Sequence, residues 1–146
     1  MKSDSRNETV LEDERQGLRE RFQADGLKAK KSFGQCFLAD RNIAAIIAKE
    51  STSPIGGTVV EIGAGTGALT VPLLERASRV IAIERDRDLV PLLEDGLRES
   101  ISEGRLKVIE ADAVGVDLTE CFRDTAEPRV LAGNLPYQIT GPLLQK

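Results

Sequence analysis

Apolar residues recur along this chain in two rhythms that take turns. Residues 16–25 predict a short helix, with Leu18 and Phe22 one turn apart and Gly26 ending it. Asp40 is suited to capping a second helix whose stripe is Ile43, Ile46 and Ile47, ending before residues 51–54. The period then changes. Residues 58–62 form a β-branched run that predicts a strand, followed at once by Gly63-Ala64-Gly65-Thr66-Gly67 and by Leu69, Leu73 and Leu74 at helical spacing. Residues 79–84 predict a second strand, and Asp86 or Asp88 can cap a helix carrying Leu89, Leu92, Leu93 and Leu97. Residues 106–110 predict a third strand and residues 129–134 a fourth, after a polar stretch over 116–128. Pro72 and Pro91 fall in the helices, where a first-turn position tolerates the missing N–H.

Strands alternating with amphipathic helices imply βαβ units, hence an α/β fold with a parallel sheet and helices on both faces. Residues 1–15 are polar and lack periodicity, so they read as a disordered tail ahead of one domain over residues 16–146. Gly141-Pro142-Leu143-Leu144 reads as the start of a further helix.

Composition narrows the chemistry. The 146 residues are 40% hydrophobic, enough for one core, and no apolar run approaches the roughly 20 residues that cross a bilayer. The acidic N-terminus does not resemble a secretory signal or a transit peptide, and a cytoplasmic location is expected. Two cysteines and no histidine argue against a zinc site or a disulfide framework, and remove histidine-dependent nucleophilic catalysis. No metal is expected. A net charge of −4 runs against free-standing nucleic-acid binding, although Arg15, Arg19, Arg21, Lys28, Lys30 and Lys31 cluster near the N-terminus. For a charge run alone, a solvated face is the favoured reading of such a cluster.

The glycine turn carries the first functional signal. Between a parallel strand and a helix, Gly63, Gly65 and Gly67 permit unusual dihedrals and a close approach of backbone to ligand. The same spacing fits GxGxxA through Ala68, so a nicotinamide dinucleotide is not rejected by the turn alone, and a plain strand-to-helix turn would use the same residues. Glu84 ends the second strand about 20 residues later, where a carboxylate accepts hydrogen bonds from ribose hydroxyls. Asp112 repeats that placement after the third strand, near an adenine amine, or serves only as a cap or turn residue.

Asn134-Leu135-Pro136-Tyr137 follows the fourth strand. An adenine N6 amine is a poor nucleophile because its lone pair is delocalised into the ring. The Asn134 side-chain oxygen and the Leu135 carbonyl are placed to accept its protons and free that lone pair, Pro136 stiffens the turn, and Tyr137 offers a face for stacking a base. A methyl on the sulfonium of S-adenosylmethionine needs no strong general base, which agrees with a chain lacking histidine. A strand-ending turn with a half-buried tyrosine is the simpler alternative.

Together these segments resemble the ribosomal RNA adenine N6-dimethyltransferase family, and its small-subunit dimethyladenosine transferases more than the large-subunit resistance enzymes. The matching stretches are Lys31-Ser32-Phe33-Gly34-Gln35-Cys36-Phe37-Leu38, Glu61 through Gly67, Glu84, Asp112, and Asn134 through Thr140. The resemblance implies a Rossmann-like S-adenosylmethionine-dependent methyltransferase fold, cofactor contacts at Gln35, Cys36, Leu38, Gly63, Glu84, Asp112 and Asn134, and dimethylation of two adjacent adenines near the 3′ end of small-subunit rRNA. It also implies a small-subunit rRNA or pre-ribosomal partner and a monomer. Cys36 departs from the usual His or Asn; its thiol is a weaker hydrogen-bonding group, so a backbone contact is the surer expectation there, and a small buried apolar role fits it equally.

The family's sheet has seven strands and a helical C-terminal domain, against four strands here. The chain therefore reads as a partial domain, truncated after about four strands, and as weakly stable and inactive alone, with an open edge at the fourth strand. Two other classes stay open: a non-catalytic ribosome-assembly or nucleic-acid-binding module with the same fold, and an NAD-linked oxidoreductase.

Overall fold

The computed structural model describes residues 5–26, 40–135 and 137–145. Its elements run α1 (Ser5–Ala24), α2 (Arg41–Ser51), β1 (Thr58–Ile62), α3 (Thr70–Leu74), β2 (Arg79–Glu84), α4 (Val90–Gly96), α5 (Arg98–Ser102), β3 (Leu106–Glu110), α6 (Leu118–Cys121), β4 (Arg129–Gly133) and α7 (Tyr137–Leu144). The strands form one parallel sheet in the order β3-β2-β1-β4. This is the α/β, Rossmann-like arrangement expected, and the strands fall within one residue of the expected bounds. The order reverses direction between β1 and β4, which is where doubly wound sheets open a crevice at their carboxyl ends.

Alternation along the strands divides the core in two. Val59, Val80, Ala82 and Ala132 pack with Leu73, Leu74, Leu93 and Leu97 on one face. Val60, Ile62, Ile81 and Ile83 pack with Leu143, Leu118, Leu135 and Ile139 on the other. Burial on both faces makes β1 and most of β2 continuously buried rather than alternating, with apolar runs at Val59-Val60 and Val80 through Ile83.

Several helices differ from the sequence reading. Residues 5–15 are not a tail: they form the first half of α1, which packs on α3, α4 and α5. The period was hidden because Glu14 occupies a core position between Leu11 and Leu18. Its carboxylate accepts hydrogen bonds from the backbone N–H (3.0 Å) and hydroxyl (2.6 Å) of Ser100, serving the first turn of α5 where Leu97 offers no cap. Burying Leu11 and Leu18 contributes roughly 1.5–3 kcal/mol each. Helix α2 is capped by Asp40 as expected, but its buried face is Ala44 and Ala48, leaving Ile43 and Ile46 exposed. Small side chains let the helix lie close, so the packing face is not the most hydrophobic one. The final helix begins at Tyr137, four residues earlier than expected, and holds Pro142 inside it.

The helix read as continuous through Leu97 is broken into α4 and α5 at that residue. Asp86 contributes to its entry by accepting the Asp88 N–H at 3.0 Å and, through its carbonyl, the N–H groups of Leu89 and Val90. Pro72 and Pro91 both sit in first turns. Helix α6, within the polar stretch, was not expected; Asp117 caps it by accepting from Thr119 N–H. Among the described residues, no helix is long and apolar enough to cross a membrane.

Candidate nucleoside and amine site

Parallel register places the expected site residues in a row. Ile62 at the end of β1 pairs with Ile83 on one side and Gly133 on the other. Gly63 therefore follows β1 between Glu84, which ends β2, and Asn134, which follows β4. Asp112 comes two residues after β3, beyond Glu84. All four lie at carboxyl ends of the strands, flanking the reversal in strand order.

The turn itself is held from several directions. Gly63, Gly65 and Gly67 have φ of 75°, 57° and 79°, a region that side chains with a Cβ rarely adopt. Gly63 is exposed and a Cβ there would meet nothing within 4 Å, so the backbone presents an open approach. Gly67 N–H bonds the Ala64 carbonyl at 2.9 Å and closes the turn. From β2, Glu84 accepts the Gly65 N–H at 2.8 Å through Oε2 and the Asp86 N–H at 2.7 Å through Oε1. Glu84 is buried, and two aligned donors fix its carboxylate while each oxygen retains a further lone pair for a hydroxyl. Such a set fits a nucleoside: an open glycine backbone beneath it and an oriented carboxylate for its sugar.

Asp112, like Gly63, is exposed. Its Oδ1 accepts the Val114 N–H at 3.0 Å, the turn role weighed for it, and its Oδ2 pairs with Arg85 at 3.3 Å. On the other side of Gly63, Asn134 and Leu135 are half-buried, with Leu135 packed against the Ile62 cluster. Gln35, Cys36, Leu38 and Pro136, together with Lys28, Lys30 and Lys31, lie outside the described residues.

The chain matches the ribosomal RNA adenine dimethylase family over residues 26–146. It belongs to that family. Ribosomal RNA small subunit methyltransferase A of Magnetococcus marinus is 44% identical over 119 residues, which are 82% of this chain and 42% of that protein. A dimethyladenosine transferase from Plasmodium falciparum aligns at a TM-score of 0.56 and 30% identity, over 76% of this chain and 38% of that one. The 23S rRNA methyltransferase ErmE aligns at a TM-score of 0.62 and 28% identity, over 75% and 41%. The chain spans about two-fifths of the length of the curated relatives it matches.

The dimethylase match includes the glycine turn, Glu84, Asp112 and the Asn134 turn, and begins after α1. Several supporting residues were not singled out from sequence. Behind the turn, Glu61 is buried and accepts the Thr70 hydroxyl at 2.7 Å, tying β1 to the first residue of α3. Burial pushes its carboxyl up to about 7, with the Thr70 hydrogen bond acting against that rise and the Glu84 charge adding to it. Gly133 lets β4 lie against β1: a Cβ there would sit 2.6 Å from the Ile62 carbonyl oxygen. Leu18 of α1 fills the space behind Gly67. Only the motif membership of Glu61 was a signal; the others depend on which elements meet. A groove of about 780 Å³ runs between α1, α2 and the helix side of the turn, and none of the four strand-end residues lines it.

Proposed function

We propose that this chain carries the cofactor-binding and amine-positioning part of an enzyme that dimethylates adenine N6 in small-subunit rRNA, using S-adenosylmethionine. The observation that carries the reading is the register at the sheet's reversal. Pairing of Ile62 with both Ile83 and Gly133 sets Glu84, Gly63 and Asn134 side by side, within the span that matches the dimethylases.

In this reading Gly63 and Gly65 lie beneath the nucleoside, and the oriented Glu84 carboxylate takes the ribose hydroxyls. Asp112, with Gln35, Cys36, Leu38 and Asn134, completes the cofactor contacts. When bound, S-adenosylmethionine supplies a methyl already activated on sulfonium. The chain's task is then the amine. The Asn134 side-chain oxygen and the Leu135 carbonyl accept the two N6 protons and draw the nitrogen toward a pyramidal geometry, while Pro136 stiffens the turn and Tyr137 stacks on the base. No general base of high pKa is required. The substrate is taken to be two adjacent adenines near the 3′ end of small-subunit rRNA, in a pre-ribosomal particle in the cytoplasm, acted on by a monomer. The folded unit takes in α1 through α7, as part of a methyltransferase domain.

Asn134→Ala in the full-length protein tests the reading. Methyl transfer to unmethylated small-subunit rRNA, mapped by mass spectrometry, should fall by ~10²–10³-fold, the scale of losing one preorganised hydrogen-bonding group. Unchanged dimethylation would leave a non-catalytic assembly role as the better account. Titration with S-adenosylhomocysteine against NADH separates the remaining alternative, and tighter NADH binding would reverse the assignment.

A further inference from the structure

We propose that Leu18 is a positioning residue for the nucleoside-binding turn: from α1 it is wedged between Gly67 and Gly96 and holds the turn in its ligand-ready shape. The inference rests on the function proposed above and extends it to a helix that precedes the family match, which begins at residue 26.

Leu18 is 3% exposed. Its two methyl groups face two glycines. A Cβ on Gly67 would lie 3.0 Å from Leu18 Cδ1, and a Cβ on Gly96 would overlap Leu18 Cδ2 and Cγ. The third glycine of the turn therefore differs in role from the first. Gly63 opens onto free space, as a ligand needs, whereas Gly67 opens onto Leu18, with Leu93 Cδ2 3.3 Å from the same point. Gly96 does the same for α4, ending that helix where the leucine enters.

Once seated, Leu18 backs the face of the turn that looks toward α1. Glu84 fixes Gly65 from β2, the Ala64 carbonyl fixes the Gly67 N–H, and the Val71 N–H of α3 reaches the Gly67 carbonyl at 3.2 Å; on the side facing α1 the turn rests on the apolar side chains of Leu18 and Leu93. Helix α1 is itself anchored along its length, by Asn7 to Arg105, Glu14 to Ser100, Arg15 to Glu75 and Arg21 to Asp95. The wedge is thus fixed at both ends of the helix and cannot retreat without breaking those contacts. Linkage makes the effect reciprocal: a ligand that orders the turn must also tighten α1 against it.

The experiment compares Leu18→Ala with Leu11→Ala in the full-length protein. Leu11 is as deeply buried on the same helix, seven residues and about 10 Å along the axis from Leu18, and so controls for loss of stability alone. Leu18→Ala should weaken S-adenosylhomocysteine binding about 10-fold, within the ordinary range of coupling between sites. It should raise KM for the methyl donor while leaving kcat unchanged, speed amide exchange over residues 64–68, and be rescued by Leu18→Met. Leu11→Ala should lower the thermal midpoint comparably and leave binding and exchange in the turn as in the wild type. Equal effects of the two substitutions, or wild-type binding and turn exchange in Leu18→Ala, would overturn the proposal. If the wild type fails to bind S-adenosylhomocysteine, the proposed function falls; exchange in the turn, read without ligand, still decides the role of Leu18.

Discussion

The Glu84 carboxylate closes the glycine turn from the neighbouring strand, taking the Gly65 N–H at 2.8 Å. Its other oxygen takes the Asp86 N–H at 2.7 Å, so both oxygens face donors. Glu84→Gln replaces one acceptor with an amide donor that must point at an N–H group. Hydrogen bonds to a charged group contribute about 1.5–3 kcal/mol, so affinity for S-adenosylhomocysteine should fall by ~10–100-fold. Calorimetric titration checks this, and affinity within twofold of wild type would remove Glu84 from the ribose.

Glu61 predicts a distinct pH dependence. Its carboxyl, ordinarily near 4.5, is pushed up to about 7 by burial, with the Glu84 charge contributing. The folded state therefore holds this proton more tightly than the unfolded state. The stability it gives is fully present below about pH 4.5 and is lost as pH rises through about 7. The loss across that window is about 3 kcal/mol. Glu61→Gln keeps an acceptor for the Thr70 hydroxyl and removes the titration, so urea unfolding at pH 5, 6, 7 and 8 should show a flatter profile than wild type. An unaltered slope would mean that another group titrates.

Much of the fold was legible because each strand is a short run rich in apolar residues, and β1 and β2 are buried on both faces, a pattern that helices dilute. The strand-end residues Gly63, Glu84, Asp112 and Asn134 were legible for the same reason, since each follows or closes such a run. Helix α1 was not, because Glu14 stands at a core position and satisfies its charge on Ser100, a partner 86 residues away. Nor was the packing face of α2, where Ala44 and Ala48 are buried and two isoleucines are not. Residues that support the site were hidden in the same way. Leu18 and Gly133 look ordinary until their neighbours from other elements are in place.

Gly133 sets the position of Asn134. It pairs with Ile62 across β1 and β4, and a Cβ on it would stand 2.6 Å from the Ile62 carbonyl oxygen and 3.1 Å from Leu135 Cδ2. β1 is paired on both sides and buried, so it cannot give way. Gly133→Ala must instead push the end of β4 outward and carry Asn134 with it. Overpacking of this kind costs about 1–3 kcal/mol of stability, which a denaturant titration reads. Methyl transfer should suffer more, because a shift of about 1 Å in a positioning group costs ~10²-fold in rate. Binding of S-adenosylhomocysteine should fall far less, since Gly63 and Gly65 follow β1 and Glu84 ends β2. Methyl transfer within threefold of wild type would show that the close approach of β4 to β1 does not govern where the amine is held.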